Sequence, residues 1–328
     1  MRVFPSWCLL LFVISFPVCS ISAVPLLPRG EAFSTSRQPL KMSEDWQQQP
    51  VVHPSATSTE ILINLDQSTY PVLAAVIQQY AADKGLSILV HSGTCGISNR
   101  GLLKKEIDMG SFCCPPGWDD RFPGVIFHTL GISALEIIVN PANPIRSVTF
   151  AQAQQIFSGG IDRWSEIVPA SSPFDYPIQP VAFVHCKKRP GHWRLLLDNE
   201  DLFSLRLGNV STVPDIVSAV AGNKMAVSLA VSYLAHEVNR DRGEVRGVKI
   251  NNISATDVDA LIDGRYPLYR TLSITYWQDG PLKKEIQDLI TFLDRYIEEN
   301  SKRLLFAPAS RLRQAGWGFS GEELVAAP

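Results

Sequence analysis

Residues 136–167, EIIVNPANPIRSVTFAQAQQIFSGGIDRWSEI, leave a chain few ways to fold. Ile137, Ile138 and Val139 form a short apolar, β-branched run, the pattern of a buried strand. Asn140-Pro141 and Asn143-Pro144 end it, because proline cannot continue a ladder and turns the residue before it away from helix. Thr149 with Gln152 has the spacing of a capping box. Ala153, Ile156 and Phe157 then recur at helical spacing, and Ser158-Gly159-Gly160 stops the helix. The segment reads as strand, proline turn, capped helix and glycine stop, a piece of an α/β fold.

The flanking sequence alternates in the same way. Residues 61–65 predict a strand, 66–69 a turn, and Pro71 an early helical position where its missing N–H is harmless. Val72, Leu73, Val76, Ile77 and Tyr80 share one helix face, Gly85 ends the helix, and 86–90 is the next strand. Such a βαβ unit points the free N–H groups of its helix at whatever lies above the strand ends. The loop from His91 to Gly101 opens another helix. Strands follow at 107–112 and 125–128, and 131–140 carries the chain across the molecule. Beyond the opening segment come a strand at 181–184, a basic turn at 187–191, a helix from His192 and a strand at 225–229. A return crossing is expected from Tyr233, and an amphipathic helix over 282–298.

At 328 residues, 45% hydrophobic, the chain can build one large domain or two ordinary ones around a real core. A formal charge of −2 gives no electrostatic case for nucleic acid. Arg2, the apolar residues 7–18 and the small residues Ser20, Ser22 and Ala23 make 1–23 a signal peptide. Its apolar part falls short of the about 20 residues that span a membrane, and no second span follows. The mature protein is expected to be soluble and secreted or periplasmic. Pro17-Val18 before Cys19 makes a poor lipobox, so no lipid anchor is expected there. Residues 24–58, rich in Pro, Ser, Thr and Gln, read as a flexible tether.

The order IxVNPxNP, then Thr149, Gln152 and IFSGxIxxWSEI, resembles the phosphate-type extracytoplasmic solute-binding proteins of ABC transporters. The likeness extends, more weakly, from about Glu60 to about Ala315. It implies an α/β, two-lobed periplasmic-binding-protein-like fold of type II with two crossing hinge segments. Lobe 1 would take 59–135 and, with a C-terminal tail, 229–328; lobe 2 would take 136–228. It also implies a monomer without enzymatic activity or cofactor, holding a small inorganic anion, phosphate or a related oxyanion, in an interlobe cleft. The partner would be a membrane ABC permease.

The resemblance assigns ligand donors residue by residue. Ser68 and Thr69 would face the anion from a helix start. Ser92, Gly93, Thr94, Ser98 and Asn99 would form a donor loop, and Arg189, Gly191 and His192 a second ligand turn. Cys113 falls where phosphate binders carry an acid, and His185 or Cys186 where they carry a ligand arginine; Arg189 or Arg194 could supply the charge instead. Each set also has a plain structural reading: N-caps for Ser68 and Thr69, a helix-capping turn for the loop, a solvated basic turn for 187–191.

Four cysteines lie beyond the signal peptide: Cys95, Cys113, Cys114 and Cys186. An even count in an oxidising compartment predicts disulfides, with three possible pairings for four cysteines. A bridge to Cys186 would restrict opening of a hinged cleft, whereas a Cys95 link stays within one lobe. Alternatively, the thiolates with His91, His128, His185 or His192 form a site for a soft transition metal, or Cys113-Cys114 acts as a thiol-redox pair. No CxxC, GxSxG or HExxH motif occurs.

Overall fold

The computed structural model describes residues 38–54, 59–183, 195–197 and 200–328. The expected signal peptide, Cys19, His185, Cys186, Arg189, Gly191, His192 and Arg194 lie outside these residues.

Helix α1 (Glu44–Gln48) precedes β1 (Ile61–Asp66), α2 (Tyr70–Lys84), β2 (Ile88–Gly93), α3 (Cys95–Leu103), β3 (Met109–Phe112) and β4 (Val125–Val139). Then come β5 (Ser147–Val148), α4 (Phe150–Ser158), β6 (Gln179–Ala182), β7 (Gly208–Asn209), α5 (Val213–Ala221), β8 (Ala226–Val231) and β9 (Arg246–Ile250). The chain closes with α6 (Val258–Ile262), β10 (Tyr269–Trp277), α7 (Lys283–Leu304), β11 (Phe306–Pro308), α8 (Ala309–Gln314), β12 (Gly318–Ser320) and β13 (Glu323–Ala326). Hydrogen-bonded neighbours run β2-β1-β3-β10-β4-β8-β6-β7, with β11 and β9 also on β4.

Local chemistry accounts for the elements read from sequence. Thr149 and Gln152 close the capping box: the Thr149 N–H donates to Gln152 Oε1 at 2.8 Å, and the Gln152 N–H to Thr149 Oγ1 at 3.1 Å. Gly159 then takes φ +85°, a left-handed stop that a side chain would resist. In α2, Pro71 sits in the first turn, Val72, Leu73, Ile77 and Tyr80 are buried, and Gly85 ends the helix at φ +66°. β1 is buried at all six positions between parallel neighbours, the environment that permits a continuous apolar run.

β4 joins the expected strand at 125–128 and the crossing from 131 into one unbroken strand. Residues 125–134 pair with β10, and 135–139 with β8. One strand therefore belongs to two halves of the sheet. The return crossing expected at Tyr233 comes later. β9 pairs with Ile137–Val139 and buries Val248 and Ile250, so residues 246–250 stay with the second half, and the chain is back against the first half by α6, whose Ile262 O accepts from the Trp317 indole N–H.

Gly131 lets β11 lie close against β4. A Cβ there would stand 2.3 Å from the carbonyl oxygen of Ala307 on β11, which is backbone and cannot swing aside. We expect Gly131→Ala to lower stability by about 2–3 kcal/mol, read as a fall in the urea midpoint with an unchanged m-value.

The tether expected over 24–58 is corrected for residues 38–54, which pack on the first half. The Leu40 N–H donates to Arg121 O at 2.7 Å and the Val52 N–H to Lys105 O at 2.8 Å. The Trp46 indole N–H donates to Leu103 O at 2.6 Å, and the Lys105 ammonium lies 4.5 Å from the Trp46 ring centre and 5.5 Å from that of Trp277. Leu40, Met42, Trp46 and Val51 cover an apolar cluster containing Leu62, Phe112 and Trp277. Four apolar anchors spread over twelve residues carry no helical or strand period, so the segment looks polar in sequence. No described helix is long and apolar enough to cross a membrane.

Candidate functional site

The first half has three parallel strands whose carboxyl ends meet one edge. Asp66, the last residue of β1, is level with Gly93, the last of β2. β3 ends at Phe112 beside Ser273 of the antiparallel β10. The opening residues of β10 therefore run past the end of β3, at the place where β4 passes from one half to the other. Ligands of open α/β sheets bind outside carboxyl ends at such a switch in connectivity.

Arg270 stands at that edge. It is 5% exposed, faces Ser133 of β4 in register, and its Nη1 donates to Ser68 Oγ at 2.5 Å. A guanidinium held this deep carries a heavy desolvation cost, which an anion close by offsets.

Asp66 is 1% exposed and organises the neighbouring donors. Its Oδ1 accepts from the N–H groups of Ser68 (2.8 Å) and Thr69 (3.3 Å). Its Oδ2 accepts from the hydroxyls of Thr69 (2.6 Å) and Ser111 (2.6 Å). Burial lifts the Asp66 carboxyl to about 6, the Cys113 sulfur adds to the rise, and the hydrogen bonds from Ser111, Thr69 and Ser68 hold it back. The helix start is thus capped by Asp66, and Thr69 makes no side-chain cap of its own. Ser68 and Thr69 reach the expected edge, but their amides and the Thr69 hydroxyl already serve a carboxylate of the chain.

The loop after β2 divides between lining and structure. Ser92 is exposed, and Thr94 caps α3 by accepting from the Ile97 N–H at 3.3 Å. Gly93 packs on Asn64, whose Oδ1 would lie 2.6 Å from an added Cβ. Ser98, wholly buried, accepts from Asn64 Nδ2 at 2.7 Å and ties α3 to β1. Asn99 donates to Asp120 Oδ1 at 2.8 Å and to Asp119 O at 3.1 Å. The polar groups of Ser98 and Asn99 are spent inside the first half.

Cys95 opens α3 and Cys113 follows β3; their sulfurs stand 3.1 Å apart, and Cys114 is wholly buried in the same apolar cluster. No disulfide joins Cys95, Cys113 and Cys114 to one another. No group of three His, Cys, Asp or Glu side chains suited to a metal ion occurs among the described residues. His128, one candidate ligand, contacts Asp294 at 3.0 Å and Glu322 at 3.6 Å.

Arg270 and Asp66 do not emerge from the sequence as site residues. The available signal was a lone arginine inside YRTLSITYW, a strand otherwise free of charge. Which strand end that arginine would meet depends on sheet order, which no local pattern records.

Residues 50–295 match the family described as a PBP superfamily domain. The chain belongs to the PBP superfamily. No curated protein sequence matches this PBP chain significantly. Among solved structures it is similar to an ABC-type phosphate transport receptor from Vibrio cholerae: 17% identity, TM-score 0.58, covering 76% of this chain and 99% of that one. A putative phosphate ABC transporter substrate-binding protein with bound phosphate from Clostridium perfringens matches with the same identity and coverage and a TM-score of 0.62. A variant of the OxyR2 regulatory domain from Vibrio vulnificus matches at 11% identity and TM-score 0.51, over 72% of this chain and 96% of that one. The fold is the type II PBP fold, α/β and two-lobed. Its recurrence in a regulatory domain means that the fold alone does not name a ligand.

Proposed function

We propose that this PBP chain is an extracytoplasmic solute-binding protein that delivers a small oxyanion of the phosphate class to a membrane ABC permease. The observation that carries this reading is Arg270, a buried guanidinium against Ser68 where the ends of β1 and β3 meet the crossing strand. The phosphate receptors of the same fold support the ligand class. Arg270 supplies the charge, and the exposed Ser92 beside Thr94 lines the same edge. Arg189, Gly191 and His192, outside the described residues, are proposed as further ligand donors.

The ligand set differs from an acid-bearing pocket in one respect. A cysteine stands at 113, and both Asp66 oxygens already accept two hydrogen bonds each. Little remains to accept a proton from the ligand, which is what separates hydrogen phosphate from sulfate. Thermal melting and calorimetric titration of the mature protein with phosphate, arsenate and sulfate, at matched ionic strength, test both points. Phosphate at 100 times its Kd should stabilise by about 2.7 kcal/mol, and sulfate should compete with it. If none of the three anions raises the melting temperature or evolves heat, the anion reading is withdrawn.

A further inference from the structure

We infer that Cys95 and Cys113 are the partners of a disulfide that ties the first residue of α3 to the residue following β3. The Cys95 and Cys113 sulfurs are 3.1 Å apart, and the Cys113 N–H donates to Cys95 Sγ at 3.3 Å, so one sulfur lies directly over the other residue's backbone. A disulfide needs about 2.05 Å between sulfurs, roughly 1 Å less than their present separation, so the two sulfurs have to close only that gap. The two thiols are 2% and 5% exposed and sit in one apolar cluster with Leu62, Leu102 and Phe112.

The same distance counts against a shared metal. Two thiolates on a tetrahedral zinc, each about 2.3 Å from the ion, stand about 3.8 Å apart. At 3.1 Å the pair is closer than that arrangement allows. The bridge also has a local effect. Cys95 directly follows Ser92, Gly93 and Thr94, so it fixes the far end of the loop that lines the anion edge. It removes the ionisable thiol that neighbours the Asp66 carboxyl.

The chemistry is thiol–disulfide exchange with a dithiol–disulfide oxidant of an oxidising compartment. One cysteine thiolate attacks the oxidant's S–S bond, giving a mixed disulfide and one oxidant thiol. The second thiolate then displaces the other oxidant sulfur. Two S–H bonds are lost and one S–S bond forms, and two electrons and two protons leave on the oxidant as its dithiol. Because both sulfurs are buried once α3 lies on β3, exchange takes place while the chain folds.

The pairing does not depend on what the cleft binds. The full chain, exported with its own N-terminal segment, is alkylated under denaturing, non-reducing conditions and digested for mass spectrometry. The expected result is a Cys95–Cys113 cross-linked peptide, with Cys114 and Cys186 alkylated or joined to each other. Recovery of Cys95 and Cys113 as alkylated thiols, or of either one bonded to Cys114 or Cys186, overturns the proposal. A second measurement covers variants that fold poorly: dithiothreitol should lower the melting temperature of the parent protein clearly more than that of the Cys95→Ser/Cys113→Ser protein. A reductant effect of the same size in that double variant also overturns it.

Discussion

Arg270→Gln is expected to weaken oxyanion binding by about 100-fold or more, the cost of removing a buried cation from a hydrogen-bonded charge pair. Glutamine keeps a donor and much of the length but loses the charge. Arg270→Lys keeps the charge and loses the planar fork, so it should fall between the two, with a reduced but measurable affinity. Titration calorimetry of parent and variants at one ionic strength reads the difference, and near-ultraviolet circular dichroism confirms that each variant is folded. If Arg270→Gln binds phosphate like the parent while Arg189→Gln does not, the cation of the site is Arg189 and Arg270 only braces Ser68.

Asp66 should dominate the local stability. Asp66→Ala strips the acceptor from four donors at once: the N–H groups of Ser68 and Thr69 and the hydroxyls of Thr69 and Ser111. The expected loss is about 3–5 kcal/mol. Asp66→Asn keeps an acceptor for both amides, while its NH2 meets hydroxyls that can turn to accept. That variant separates shape from charge through pH. The folded-state value of about 6 stands above the ordinary 3.8, so between them the folded chain holds a proton that the unfolded chain has lost. The stability contributed by Asp66 is therefore greatest below the ordinary value and falls as pH rises through the folded one. Asn cannot titrate, so the stability of the parent minus that of Asp66→Asn should fall across this window. Urea midpoints at matched pH values give this difference; a constant difference would mean that Asp66 does not titrate there.

The elements legible in the sequence are those whose determinants are local. Thr149, Gln152 and Gly159 begin and end a helix through contacts within ten residues, and Pro71 and Gly85 bound another by backbone preference alone. The resemblance carried by the segment around them extended that reading to a type II PBP fold. The site was harder to read because its chemistry is assembled across sequence. Arg270 reaches Ser68 from 202 residues away. Ser98 and Asn99 have the right residue types for anion donors, yet their partners are Asn64, Asp119 and Asp120. Residue type shows what a side chain can donate, and only packing shows to whom. The segment from 38 to 54 was misread for a related reason: its anchors matter through the Trp277 and Phe112 surface they cover, which a periodicity test cannot detect.

The strand order has a consequence for how the protein is made. β5 to β9 emerge as one contiguous stretch and, once they meet the end of β4, can complete their half of the sheet. β3 must wait, because its second neighbour, β10, begins only at Tyr269. During synthesis, from the N-terminus onward, the first half spends the passage of some 150 residues with an open edge on its inner strand. Unpaired strand edges are where chains stick to one another, so the interval before Tyr269 arrives is when this protein most needs a holding chaperone.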